Sequence, residues 1–570
     1  MCGIFAICHP KGCLAACHYD LKKAHELSRR QKHRGPDYKG SYQHPTNGNI
    51  LCHERLAIKD LKCTQPIQGT QSDHQVIHNG EIYNYAKLEQ GLLSEFTFTT
   101  VCDSEAIIFL YEKYRGDNNK ICNMLDGVFA FALIYGDEFL AARDPIGIKP
   151  LYYGVDKDGL YFFSSEMKCI EDVCGETKLH AFPPGHYFTP EEGFVRYYKP
   201  NWHDYELAVK EQNLDVLRQL LIDATHKRLM SDAPIGVLLS GGLDSSLISA
   251  IAARRVHQHG KQIKSFSIGL DASAPDLVAA RKVAKFLGTD HYEFYFTAEE
   301  GIAVIKKLIW HLESYDVTSV RASTPMYFLS KYISELGVKV VLSGEGADEI
   351  FGGYLYFHSA PNDEEFQKET IRRVNLLSTA DCLRADKSCM AHGLEVRVPF
   401  LDKTFLDAAM TTHPKHRRPK LQDGASVEKW ILRKAFDDKE NPYIPPEVLW
   451  RQKEQFSDGV GYGWIDSLVK SMSDRVTDEE LASAESRFPV NPPNTKEAYF
   501  IRKTFEEHYP SQTAAETVVR WIPKWQANTD PSGRASNVHN SAKNSDVSND
   551  DTHNGRCSNG ISKENGTIKN

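Results

Sequence analysis

The stretch Leu238-Leu239-Ser240-Gly241-Gly242-Leu243-Asp244-Ser245-Ser246 constrains this 570-residue chain more than any other. Ile235 to Leu239 is a short apolar run with the length of a buried strand. Leu247, Ile248, Ile251 and Ala252 then share one face of a helix read from Ser245 to Arg254. A strand, a Ser/Gly turn and a helix start make an anion cradle. Glycine lets the backbone come close, and the first N–H groups of the helix point at the anion. The Gly-Lys-Ser/Thr ending of a Walker loop is missing. Two hydroxyls follow an aspartate instead, which suits a pyrophosphate held by N–H and O–H donors with Asp244 left for Mg2+. The competing reading of a bare Ser-Gly-Gly is a turn without a ligand.

The surrounding pattern supplies a sheet to carry that loop. A helix from Leu214 to Met230 precedes it, and residues 201–212 form a crossover. Apolar strands follow at Lys264 to Leu270, His291 to Phe294 and Val338 to Leu342, with a helix around Ala279 to Leu287. Alternating strands and helices predict a parallel sheet covered on both faces, with its ligand at the carboxyl ends of the strands. One such end is Ser343-Gly344-Glu345-Gly346-Ala347-Asp348-Glu349, where Asp348 can share Mg2+ with Asp244 and Glu345 can position groups or move a proton. Carboxylates at a helix start are the alternative reading. Arg321 and its neighbouring hydroxyls fall near the same end, Arg384 to Asp386 and Glu395 to Asp402 carry more charge, and Arg451 to Phe456 offers Lys453 to the phosphates. A lone lysine is otherwise a solvated surface charge.

The first 200 residues carry a different chemistry. In Met1-Cys2-Gly3-Ile4-Phe5-Ala6-Ile7, removal of Met1 would leave Cys2 with a thiol and an α-amine together. An α-amine of pKa ~7.7–8.0 accepts protons near neutrality, so one residue supplies nucleophile and base. A buried cysteine is the plain alternative. Six further segments follow: His33 to Asp37, His53 to Ile58, His78 to Asn84 with an Asn-Gly turn, Cys102 to Glu105, Asp126 to Leu133 and Ala142 to Gly147. Amide hydrolysis needs a nucleophile, an oxyanion hole and clamps for an amino-acid head. Cys2 can attack, the Asn79 amide and Gly80 N–H can donate to the oxyanion, and Arg55 can grip an α-carboxylate. Asp103 and Glu81 can accept from an α-ammonium. Taken singly, Arg55 reads as a surface cation, Asp103 as a helix cap and Asn79-Gly80 as a hairpin turn.

Composition narrows the classes. With 41% hydrophobic and 25% charged residues the chain is a globular protein, and a net charge of -8 argues against nucleic acid or anionic membrane as partner. No run of eighteen apolar residues or basic leader with an apolar core is present, so neither a spanning helix nor a signal peptide is expected. Thirteen cysteines without a Cys-x-x-Cys pair, Cys8, Cys13 and Cys17 included, read as free thiols of a reducing, cytoplasmic compartment. Residues 527–570 hold nine Asn, seven Ser and no aromatic residue, so they predict a disordered tail that cannot bury enough surface to order itself. In such a compartment the Asn565-Gly566-Thr567 sequon is unused.

The string Leu238 to Ser246 resembles the pyrophosphate loop of ATP pyrophosphatases, and the seven N-terminal motifs, in order, resemble the glutaminase domain of class II glutamine amidotransferases. With Ser343 to Glu349 and Arg451 to Phe456 added, residues 2–525 resemble glutamine-hydrolysing asparagine synthetases. The resemblance implies an N-terminal nucleophile-type α/β sandwich of antiparallel sheets over residues 2–200. It also implies an adenine-nucleotide α-hydrolase-like parallel domain over 213–525. It implies that Leu239, Ser240, Gly241, Gly242, Asp244, Ser245, Ser246, Ile268, Ser343 and Gly344 hold ATP, that Asp244 and Asp348 hold Mg2+, and that Glu345 and Lys453 serve the intermediate. Glutamine, aspartate and ATP are the implied substrates, with β-aspartyl-AMP, AMP, pyrophosphate and internally transferred ammonia along the route; a homodimer is compatible with it. Lys59 and a short Asp60 to Gln65 segment depart from the family pattern at the rim of the glutamine pocket. Another class II amidotransferase, a β-lactam-synthetase-like enzyme and a non-catalytic sensor of glutamine or nucleotide are the rival readings.

Overall fold

The structure, a computed structural model, describes residues 2–10, 19–422, 425–453, 459–461 and 463–525. Cys13, Cys17, Glu454 to Phe456 and the 527–570 tail lie outside the described residues.

The N-terminal half builds two six-stranded antiparallel sheets. The first contains β1 (Gly3–Cys8), β2 (Tyr38–Gln43), β3 (Ile50–Arg55), β8 (Tyr152–Val155), β9 (Tyr161–Ser164) and β10 (Lys178–Ala181), in the order β10-β8-β9-β1-β3-β2. The second runs β12-β11-β7-β6-β5-β4, built from β4 (Ile67–Gln68), β5 (His74–Ile82), β6 (Gly127–Tyr135), β7 (Glu138–Arg143), β11 (His186–Thr189) and β12 (Gly193–Arg196). β1 is buried on both faces, which its unbroken apolar run requires. Ile4, Ala6 and Cys8 enter one core with Ile77, Ala130 and Ala132 of the second sheet, while Phe5 and Ile7 enter another with Ala24 and Leu27 of a covering helix. The α/β sandwich expected from the resemblance is therefore present.

The second half is a five-stranded parallel sheet, β15-β14-β13-β16-β17, formed by β13 (Ile235–Leu238), β14 (Lys264–Gly269), β15 (Asp290–Tyr295), β16 (Val340–Leu342) and β17 (Glu395–Arg397). Four of these strands match the sequence reading. The sequence shows β17 only as charge, since three residues with two ionisable side chains do not resemble a buried strand; the sheet buries all three.

A fully buried ionic cluster locks the halves together. Arg34 pairs with Glu166 and with Asp386 of the second half, each at 2.7 Å. Lys168 reaches Glu313 at 2.9 Å and also pairs with Glu166, and Lys387 binds Glu313. Burial alone would raise the Glu166 carboxyl, but Lys168 and Lys387 hold it well below the usual range. Removing one member of such a cluster leaves an uncompensated buried charge. Lys387→Met is therefore expected to cost about 3–5 kcal/mol, read as a lower denaturant midpoint at unchanged slope. A loss under about 1 kcal/mol would show that the cluster is not holding the interface.

Candidate active sites

The first site forms where the two antiparallel sheets face each other. Gly3 pairs with Glu54 between β1 and β3, so Cys2 and Arg55 lie one step beyond, side by side. The Cys2 nitrogen donates to Asn79 Oδ1 at 2.9 Å, and Arg34 Nε donates to the Cys2 carbonyl at 3.1 Å. Asn79 and Gly80 are not in a turn. They lie inside β5, opposite Ala130 and Phe129 of β6. Gly80 is required because its φ is 150° and a Cβ there would stand 1.9 Å from the Val128 carbonyl. The pleat aims the Asn79 amide across at Cys2, while its Nδ2 lies a long 3.4 Å from Ser165 Oγ.

Beside the thiol stand a cation and an anion with spare valence. Arg55 Nη2 donates to the Lys59 and Asp60 carbonyls at 3.1 and 2.5 Å, whereas its Nη1 is buried without a hydrogen-bond partner. The segment that departs from the family pattern is thus the one that orients Arg55, and it is itself tied to the other half: Lys59 Nζ and the Asp60 nitrogen both reach Asp232, at 3.0 and 2.9 Å. Asp103 accepts from the Ile82 nitrogen at 2.6 Å rather than capping a helix. Glu81 Oε1 sits 3.0 Å from Arg397 Nη2, and its Oε2 is buried without a partner. Burial pushes both carboxyls well above their usual range, with Arg397 opposing the shift. Orphaned donor and acceptor atoms of opposite charge complement the two ends of an amino-acid zwitterion.

The second site is a cleft at the carboxyl ends of β13, β14 and β16. It is lined by Leu239, Ser240, Gly242, Asp244, Ser245, Ile268, Ser343, Gly344, Glu345, Asp348 and Lys453. The helix after the loop spans Leu243–His257, so Asp244 and Ser245 occupy its first turn, and the Ser240 nitrogen donates to Ser245 Oγ at 3.2 Å. Gly344 lets the two loops touch, since a Cβ there would meet the Ser245 nitrogen at 2.7 Å. Gly241 and Ser246 do not line the cleft. Gly241 packs on Ala279 while its carbonyl accepts from Arg451, and Ser246 is fully buried behind the loop. Arg321 also turns away, into a buried pair with Glu497 at 2.6 Å.

Cations gather around the aspartates. Lys429 pairs with Asp244 and, at 2.6 Å, with Asp348; Lys453 reaches Asp348 at 3.1 Å. Burial alone would raise the Asp348 carboxyl, yet the two ammonium groups hold it at about 2. No sequence motif marks Lys429, but it is buried and holds a left-handed φ of 55°, the kind of backbone strain that collects at functional sites. Glu345 meets Arg384 at 3.1 Å, and burial raises its carboxyl. Asp244 keeps one buried oxygen, Oδ1, without a hydrogen-bond partner. Among the described residues no three His, Cys, Asp or Glu side chains are grouped to hold a metal. Two aspartates with a free oxygen fit Mg2+ that arrives on phosphates and keeps water, not a metal caged by protein alone.

The family model described as asparagine synthase matches residues 216–366 and 359–530, and the one described as glutamine amidotransferase domain matches 1–192. A Dictyostelium discoideum protein named probable asparagine synthetase (glutamine-hydrolyzing) is 52% identical over 95% of this chain and 99% of its own length. The asparagine synthetase (glutamine-hydrolyzing) of Asparagus officinalis is 47% identical over 95% and 94%.

Proposed function

From the premise that this chain belongs to the glutamine-hydrolysing asparagine synthetases, ligases that make asparagine from aspartate and glutamine with ATP, we propose how its two sites divide the work. A glutaminase half of residues 2–200 frees ammonia, and residues 213–525 activate aspartate and capture that ammonia. Arg55 grips the α-carboxylate of glutamine, and Glu81 and Asp103 accept from its α-ammonium. Cys2 attacks the side-chain amide; Asn79 Nδ2 and the Gly80 N–H hold the developing oxyanion. The acyl-enzyme is then hydrolysed to glutamate. Ammonia crosses inside the protein, because in water it is mostly ammonium, which has no lone pair to attack with.

At the second site ATP lies over Leu239, Ile268, Ser343 and Gly344, with its phosphates on Ser240, Gly242 and Ser245. When bound, Mg2+ on Asp244 and Asp348 neutralises the leaving pyrophosphate. Lys453 and Lys429 stabilise the charge that gathers on the phosphates. The side-chain carboxylate of aspartate attacks the α-phosphorus, giving β-aspartyl-AMP, with Glu345 and Lys453 positioning that step. Ammonia displaces AMP. Activation is needed because a free carboxylate is a poor acyl donor. A cytoplasmic site of action is part of the same reading, and no helix among the described residues is long and apolar enough to cross a membrane.

The observation that carries this route is the pairing of Asp244 and Asp348 around two lysines at the mouth of the Ser240 to Ser245 loop. It supports a reading of the loop as the seat of a departing pyrophosphate. The purified protein given aspartate, ATP and glutamine is expected to form asparagine, AMP, pyrophosphate and glutamate in equal amounts. ADP and inorganic phosphate in place of AMP and pyrophosphate would overturn the route.

A further inference from the structure

The glutamine pocket receives a side chain from the half of the chain that binds ATP. Arg397, at the end of β17, is fully buried and reaches across the boundary to form an ion pair with Glu81, its Nη2 3.0 Å from Oε1 but making no hydrogen bond. Its other nitrogens are fixed on its own side: Nη1 donates to the Arg228 and Met230 carbonyls at 2.7 and 2.5 Å, and Nε pairs with Glu395. The guanidinium is therefore a rigid wedge rather than a side chain free to follow Glu81.

We propose that Arg397 is a positioning residue for glutamine, holding Glu81 so that its free Oε2 faces the α-ammonium of the substrate. This rests on the reading of Glu81 as a glutamine-binding residue. Three observations point the same way. Glu81 Oε2 is a buried acceptor without a partner, and Oε1 is the atom Arg397 touches, so the arginine leaves one oxygen for a ligand. Glu81 and Asp103 face each other's charge in a buried space, with Glu395 close by, and Arg397 is the cation acting on all three. Burial already pushes the Glu81 and Asp103 carboxyls up and Arg397 opposes that push, so its loss would favour the protonated form further and weaken acceptance from an ammonium. Finally, the Arg397 carbonyl accepts from the Ser343 nitrogen at 2.8 Å, so the wedge is anchored on the backbone of the nucleotide cleft. A planar guanidinium that bridges two carboxylates and two carbonyls cannot be replaced by an ammonium.

The test uses the full chain and two substrates of Cys2: glutamine, and 4-carbamoylbutanoate, which is glutamine without its α-amine. Arg397→Lys is expected to lower kcat/KM for glutamine hydrolysis about 10- to 100-fold, the size of one charged hydrogen bond. Hydrolysis of the amine-free amide should change less than about threefold, and ammonium-dependent asparagine synthesis should persist. A general loosening of the interface would lower both amides together, and that result overturns the proposal; so does an unchanged preference for glutamine. Glu81→Gln separates the two layers. If it leaves the preference intact, the assignment of Glu81 is wrong; if it abolishes the preference while Arg397→Lys does not, only the role of Arg397 falls. Should Arg397→Lys lose ammonium-dependent synthesis, Arg397→Gln, which is shorter and keeps only a donor at the position of Nε, is read in the same way. Loss of that synthesis in both assigns Arg397 to the fold and overturns the proposal.

Discussion

Replacing Cys2 by alanine is expected to reduce glutamine hydrolysis, and asparagine synthesis from glutamine, by on the order of 10^4-fold, while synthesis from ammonium salts continues near its normal rate. The size follows from chemistry: without the sulfur no acyl-enzyme forms, and water attacking an amide polarised only by Asn79 and Gly80 is a far weaker nucleophile. The selectivity follows from geometry. The Cys2 backbone bonds to Asn79 and Arg34 and its thiol points to the Leu56 carbonyl at 3.9 Å, and none of these three residues lines the nucleotide cleft. Both rates should be followed on one preparation, so that surviving ammonium-dependent activity certifies the fold. Glutamine hydrolysis retained in Cys2→Ala would remove the nucleophile assignment. Full activity in a protein that still carries Met1 would remove the role given to the Cys2 amine while leaving its thiol in place.

Lys453→Ala is expected to slow asparagine formation about 100- to 1000-fold with either nitrogen donor, and to leave Cys2-dependent glutamine hydrolysis measurable. Burial works against a charged lysine here, yet Asp348 and Asp244 push its ammonium up, so it is a fixed cation in the cleft. Glu345→Ala should fail at the same step, since it frees Arg384 from its 3.1 Å partner in the same cleft. Oxygen-18 in the side-chain carboxylate of aspartate distinguishes the routes. Attack at the α-phosphorus moves one labelled oxygen into AMP, and both variants should suppress that transfer. Label in inorganic phosphate, or AMP formed without label, would defeat adenylation and the roles given to the loop.

What the sequence made legible was local. The strand, turn and helix around Ser240 needed only neighbouring residues to be read, and the structure places that loop at the carboxyl edge of a parallel sheet. Asn79-Gly80 shows where local reasoning fails. The pair favours a hairpin turn in isolation, but here glycine answers to a carbonyl from β6, which no window around residue 80 contains. Lys429 and Arg397 were missed for the same reason in stronger form. Their partners are Asp244 and Asp348, and Glu81, between 81 and 316 residues away along the chain. A charge run cannot announce which distant carboxylate it will meet. Ser246 and Gly241 err in the opposite direction: they belong to the motif, but the helix and its neighbour take them out of the cleft.

The ionic cluster between the halves bears on descent. Arg34, Lys168 and Glu166 leave the first half one positive charge in excess, and Glu313, Asp386 and Lys387 leave the second one negative charge in excess. Each half, cut free, would leave the charges of this cluster without the partners beside which they are buried. Drift at the seam is constrained: a charge lost from the cluster is answered by a matching change at one of its partners, in the same half or across the boundary, so substitutions there are expected to be inherited in pairs.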